Sequence, residues 1–300
     1  MSKRFTIALA LAAAALPAIA QMKQLPMEPL HESGQSVTPS YEGWWQNPDG
    51  TYSLMFGYFN RNTKETPDVP IGPNNHIDPG PADQGQPTHF VPRRQWGVFT
   101  VTAPKDIGTK KITWTIIANG QMVSVPSTLD PNWNINPMSE IGIGNTPPTI
   151  SFDEKGPSVQ GPKPLEVQRA AKVGVPLALT VWAADDDKRL FRGPAGGGRG
   201  PGGAETNPPV SSGPAAVTLT WQKFRGPGEV KFSTTQTRVE AVPGSEIPVK
   251  NTFNGKSTNT ATFSEPGDYI LRVIANDSSG PGGGGFLCCW TNGEVKVTVR

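Results

Sequence analysis

The sequence predicts an all-β protein made of β-sandwiches, and three observations lead there. Glycine and proline are abundant, 34 and 32 of 300 residues, against roughly 7 % and 5 % in average usage. Charged residues are only 17 %, under the roughly 25 % of an ordinary globular protein. Val, Ile, Phe and Trp recur in short runs of period two, the pattern of half-buried strands. A helical bundle needs Ala, Leu, Glu and Lys with few breakers, so that class is excluded. The dense apolar runs equally exclude wholesale disorder.

Residues 1–20 read as a secretory signal peptide. Lys3 and Arg4 form the positive start, Phe5 to Leu16 the apolar stretch, and Ala18-Ile19-Ala20 the small-residue cleavage site. Gln21 follows, so the Cys of a lipoprotein anchor is missing. No later segment has eighteen consecutive apolar residues, so no membrane insertion is expected after cleavage. The mature chain is expected in the periplasm or outside the cell. The 27 Lys+Arg exceed the 25 Asp+Glu by Lys3 and Arg4 alone. With no basic run left, nucleic acid and anionic membrane are poor partners.

The elements then follow in order. Residues 21–35 are a flexible leader, polar and without period. Residues 36–144 make a first β-sandwich domain. Tyr41 to Gln46 and Thr51 to Phe59 pair as a hairpin across Asn47-Pro48-Asp49-Gly50, with Tyr52, Leu54, Phe56 and Tyr58 on one face. Residues 60–88, Pro-rich and almost without apolar period, form a long loop. Trp96 to Thr102 and Lys111 to Ala118 are strands, and Asn119-Gly120 is a type I′ turn into Gln121–Val125. Pro126 to Gly144, without clear period, is a connector or an edge segment.

Residues 145–300 make a second domain with more legible strands: Val175 to Trp182, Ala216 to Phe224, Asn259 to Phe263, Tyr269 to Ala275 and Glu294 to Val299. Residues 192–214 are a Gly/Pro stretch too polar to pack, expected as a mobile loop. The run Asn145-x-Pro-Pro, Val175-Pro-Leu-x-Leu-x-Val to Asp185-Asp186-Asp187, Val217-x-Leu-x-Trp221, Pro266-Gly267-x-Tyr269-x-Leu-x-Val to Asp277, and Val295-x-Val-x-Val resembles the PKD-like (polycystic kidney disease) immunoglobulin-type domains. The resemblance covers about half the chain. It implies a tyrosine corner at Tyr269 and a core Trp of strand C at Trp221. The first domain matches no characterised family. A sandwich there is an analogy.

Alternating strand direction puts Asn145, Asp185, Asp186, Asp187 and Asp277 at one pole of the second domain. Several carboxylates and an amide oxygen suit a hard cation taking six to eight oxygens, so a structural calcium ion is expected there. The resemblance points the same way, since some PKD-like domains bind calcium at such positions. Against it, three consecutive Asp can simply solvate a loop with Lys188 and Arg189 neutralising them. Cys288 and Cys289 are the only cysteines. In an oxidising compartment they form a vicinal disulfide, stay as two thiols or bridge to another molecule, and the first is favoured.

Other chemistry is weaker. His76, Asp78, Asp83 and His89 can be assembled into a metal set, but their spacing fits no zinc pattern and the stretch is turn-rich. Gly196 to Gly200 imitates a phosphate loop without the helix that such a loop opens. Trp44, Trp45, Trp133 and Trp290 can stack sugar rings or merely pack. Asn276-Asp277-Ser278 matches a glycosylation acceptor. No pattern identifies an enzyme. The expected function is an exported, non-catalytic β-sandwich protein for binding, adhesion or surface architecture, with a protein or glycan partner not readable from the residues. The alternatives are a carbohydrate-binding accessory protein and an enzyme centred in the first domain.

Overall fold

The computed structural model describes residues 31–140, 144–186, 217–242, 253–277 and 288–300. The signal peptide, residues 21–30, the Gly/Pro stretch 192–214 and Asp187 lie outside them. The chain is all-β: among the described residues no α-helix occurs, and one 3-10 turn spans Pro131–Trp133.

The first half forms two three-stranded antiparallel sheets. One is ordered β1 (Val37–Gln46), β2 (Tyr52–Asn60), β4 (Arg93–Ala103). The other is ordered β3 (Asn75–Asp78), β5 (Thr113–Ala118), β6 (Gln121–Pro126). The expected β1–β2 hairpin is present, closed where Gly50 N donates to Asn47 O at 2.9 Å. Asn119 and Gly120 both have positive φ, 49° and 73°, as a type I′ turn requires. Leu54, Phe56 and Tyr58 of β2 enter the core with Val101, Ile77, Phe90, Trp114 and Ile116. Trp114 stands at its centre, 4.9 Å from the Phe99 ring, and its indole N–H donates to Asn75 Oδ1 at 3.0 Å.

The alternation of β2 predicts one solvated face, yet Ser53 and Met55 on the opposite face are 0 % exposed too. Strand β3 arises inside the supposed loop 60–88. One apolar side chain, Ile77, docks it, and the Asn75 amide donates to Val69 O and Pro87 O at 2.9 and 2.8 Å. A single apolar residue carries no period, so the sequence could not announce it.

The second half is a sandwich of the immunoglobulin type. Its first sheet runs β8 (Ser158–Gln160), β7 (Thr149–Ser151), β10 (Leu177–Asp185), β15 (Phe253–Phe263), β12 (Val230–Phe232), with β14 (Glu240–Ala241) also on β15. Its second runs β9 (Leu165–Ala171), β17 (Trp290–Val299), β16 (Gly267–Asn276), β11 (Thr218–Arg225), β13 (Gln236–Arg238). Strands β7, β10, β15 and β12 take the A, B, E and D places, and β11, β16 and β17 the C, F and G places. Strand β9 runs parallel to β17.

Trp221 sits in the core at 2 % exposed. Tyr269 makes the tyrosine corner: its hydroxyl donates to Glu265 O at 2.9 Å and accepts Gly228 N–H at 3.1 Å. Strands β7, β8 and β12–β14 went unread because each is two or three residues long, too short to register a period, whereas β9 does alternate, half-buried at Leu165, Val167 and Arg169. His31–Arg300 is one compact unit with two cores. Phe224 of β11 lies in the core of the first half.

Candidate functional site

Antiparallel pairing brings the start of β7, the end of β10, the end of β16 and the start of β17 to one pole: Ala184 pairs with Thr149 and Asn276 with Trp290. Asn145 sits there, 1 % exposed. Its side-chain amide donates to Asp277 Oδ2 at 2.6 Å and to Glu140 Oε2 at 3.4 Å. Thr146 Oγ1 donates to Asp186 Oδ2 at 2.9 Å. Asp185 and Asp277 are buried, at 2 % and 5 % exposed. Cys288 and Cys289 are joined as a disulfide. Their sulfurs lie 4.0 and 3.5 Å from Asn145 O.

Of the residues expected at this pole, Asn145 and Asp277 are thus in direct contact, and Asp186 is tied to the residue following Asn145. Among the described residues, no three His, Cys, Asp or Glu stand close enough to hold a metal ion. The donor chemistry still suits a hard cation in one respect. Asn145 Oδ1 is a buried oxygen with no hydrogen-bond partner among the described residues. Glu140, which joins this cluster, was missed because its connector shows no pattern. Asn276 is 6 % exposed, whereas a glycosylation acceptor belongs on an accessible surface.

The His76, Asp78, Asp83, His89 set is split: His76 and Asp78 pair with each other, while Asp83 and His89 take other partners. His76 Nε2 lies 3.2 Å from Asp78 Oδ2. His89 Nδ1 lies 2.9 Å from Asp68 Oδ1, and Lys223 Nζ lies 3.1 Å from the same oxygen. Burial pushes Asp68 up, but the hydrogen bond from His89 and the His89 and Lys223 charges outweigh it and hold the carboxyl below its usual range. Asp83 is gripped by both terminal nitrogens of Arg225, each at 2.8 Å. That hydrogen bonding keeps its carboxyl low. Lys223 and Arg225 belong to β11, so these pairs tie one half of the chain to the other.

A second polar cluster had no signal in the sequence. Glu42, its side chain 1 % exposed, accepts Arg94 Nη2 at 2.6 Å and Gly97 N–H at 2.7 Å. Burial pushes its carboxyl up to about 6 against the Arg94 charge. Arg272, 1 % exposed, is pushed down to about 10 by burial, and it stays charged at neutral pH. Burial followed by the Glu166 charge raises Glu294.

The aromatic candidates divide. Trp290 is buried, its ring against Gly97. Trp44 donates to Asp130 O at 3.0 Å and sits edge-on to Tyr52, 5.6 Å between centroids. Trp133 is 45 % exposed beside Tyr41, and Trp96 is 39 % exposed with the Arg94 guanidinium 3.8 Å above its ring.

Neither a protein-family model nor a curated protein matches the chain. Similar solved structures include a protein of unknown function from Porphyromonas gingivalis W83, at 10 % identity and TM-score 0.22, covering 87 % of this chain and 99 % of that one. The D0-D1 domain of intimin follows at 12 % and 0.23, covering 88 % and 97 %. Cadherin-like domains 1 to 4 of zebrafish RET follow at 15 % and 0.20, covering 79 % and 46 %. At TM-scores this low, nothing known of those proteins carries over to this chain. No helix among the described residues is long and apolar enough to cross a membrane.

Proposed function

We propose that the chain is an exported, non-catalytic β-sandwich protein serving binding, adhesion or surface architecture, with a protein or glycan partner. One observation carries this reading. The side chains best equipped for acid–base chemistry are engaged in holding the two halves together, His89 with Asp68 and Lys223, Asp83 with Arg225. A catalytic histidine keeps one ring nitrogen toward the substrate while a carboxylate orients the other; here the carboxylate on His89 Nδ1 is also paired with Lys223 of β11, so Asp68 serves the junction between the halves. The mature protein is expected to turn over no ester, glycoside or peptide substrate in a hydrolase panel. Turnover abolished by His76→Ala or His89→Ala overturns the reading.

A second reading, carbohydrate binding, is favoured by the exposed indole of Trp133, since an open aromatic face can stack a sugar ring, with Trp96, exposed but capped on one face by the Arg94 guanidinium, as a second candidate. Glycan-array binding lost in Trp133→Ala or Trp96→Ala supports it. A blank array leaves a protein partner as the reading.

The polar pole belongs to the same proposal as a structural calcium site formed by Asn145, Asp185, Asp186, Asp187 and Asp277. Asn145 Oδ1 supports it as a buried, unpartnered hard donor on the side chain that touches Asp277. Bound there, the ion would neutralise the carboxylates and tie the start of β7 to the ends of β10 and β16.

A further inference from the structure

The peptide of Gly97 is gripped from both halves of the molecule. Its N–H donates to Glu42 Oε2 at 2.7 Å, within the first half. Its carbonyl accepts Arg272 Nη2 at 2.8 Å and Asn292 Nδ2 at 3.0 Å, both from the second. Asn292 Oδ1 also accepts Arg272 Nη2 at 2.8 Å, and Asn292 Nδ2 donates to Pro162 O at 2.8 Å. Gly97 has φ +50°, and a Cβ there would stand 1.9 Å from Trp290 Cζ2. Only glycine lets the indole close over the peptide. Arg272 and Asn292 are 1 % and 2 % exposed, so the contact is dry.

We propose that this clasp fuses the two sandwiches into one cooperative, rigid body, so that surfaces on both halves keep a fixed mutual orientation. Separate domains on a linker meet through modest, rather polar contacts and move relative to one another by default. Here separation would take from the Arg272 guanidinium its Gly97 O acceptor, leaving only Asn292 Oδ1 from its own half, and charge-assisted bonds in a desolvated layer are the strong ones. The flanks reinforce the clasp. Thr88 N and His89 N donate to Phe224 O at 3.1 and 3.2 Å, the Phe224 ring lies in the first core, and Arg225 grips Asp83.

Calorimetry on the full mature chain tests the idea, and its readout does not depend on any ligand. The wild-type protein is expected to unfold in one transition, with calorimetric and van't Hoff enthalpies equal. Arg272→Met keeps the apolar stem and removes the donors. It is expected to drop the van't Hoff enthalpy below the calorimetric one and to speed exchange of the Thr88 and His89 amides, which cross the junction to Phe224 O, roughly tenfold to a hundredfold, the scale of one lost charge-assisted bond. Asn292→Ala is the milder companion should Arg272→Met fold poorly. Two transitions in the wild type, or equal enthalpies in every variant that folds, overturn the proposal.

Discussion

Glu42 shows how one buried side chain sets a pH dependence. Its carboxylate is surrounded by Arg94, Ser40 and the Gly97 N–H, with the Arg272 charge beyond. Burial still outweighs them and lifts the carboxyl from 4.5 to about 6. A raised carboxylate pKa means that the folded state binds the proton better than the unfolded one. Stability from this group is therefore fully present below pH 4.5 and lost as pH rises through 6, by about 2 kcal/mol. Glu294 is raised as well and acts in the same direction, whereas Asp68 and Asp83 are lowered and act below 3.8. Urea unfolding at pH 4.5 and 7 should show the wild type more stable at the lower pH, with the difference reduced in Glu42→Gln. An identical pH profile in both proteins refutes this role. Nothing in the sequence marks Glu42, which stands between Tyr41 and Gly43 as one more polar residue of a strand. Its burial comes from Arg94, Gly97 and Arg272, which lie far away along the chain.

At the scale of elements, the tyrosine corner carries the most testable energetics. The Tyr269 hydroxyl joins the turn after β11, through Gly228 N, to the turn before β16, through Glu265 O. A Cβ at Gly226 would meet the ring at 2.1 Å, so the glycine makes room for the aromatic side chain. Tyr269→Phe keeps the packing on Phe263, 4.9 Å between centroids, but leaves a buried donor and acceptor unpaired. The expected cost is about 1–3 kcal/mol, read as a lower midpoint in chemical denaturation with an unchanged slope. A shift within error would show that water replaces the hydroxyl. This element was legible, because Pro266-Gly267-Asp268-Tyr269 combines a turn with a strand start. Strands β3, β7 and β8 were not, because their stability comes from partners rather than from any alternation of their own.

For the whole molecule, the calcium proposal predicts a global response: a site linking the ends of three strands should raise the thermal midpoint of the mature protein. Calcium is expected to shift it upward and a chelator to reverse the shift, with Asp277→Ala insensitive to both. A midpoint indifferent to calcium in the wild type removes the site. Cooperativity is a property of the same scale, and it shows most plainly where sequence reading ends. By itself the sequence determined the all-β class and the β1–β2 and β5–β6 hairpins, because alternation and turn chemistry are local and periodic. The immunoglobulin-type order of the second half, and with it a shared pole for Asn145 and Asp277, comes instead from the resemblance to PKD-like domains. Only the tertiary structure decided that β2 is buried on both faces, that His89 and Asp83 serve the junction, and that Gly97 is held by Glu42, Arg272 and Asn292. Those outcomes depend on charges and shapes brought together from distant parts of the chain, and a one-dimensional pattern does not encode which of them will share a dry interface.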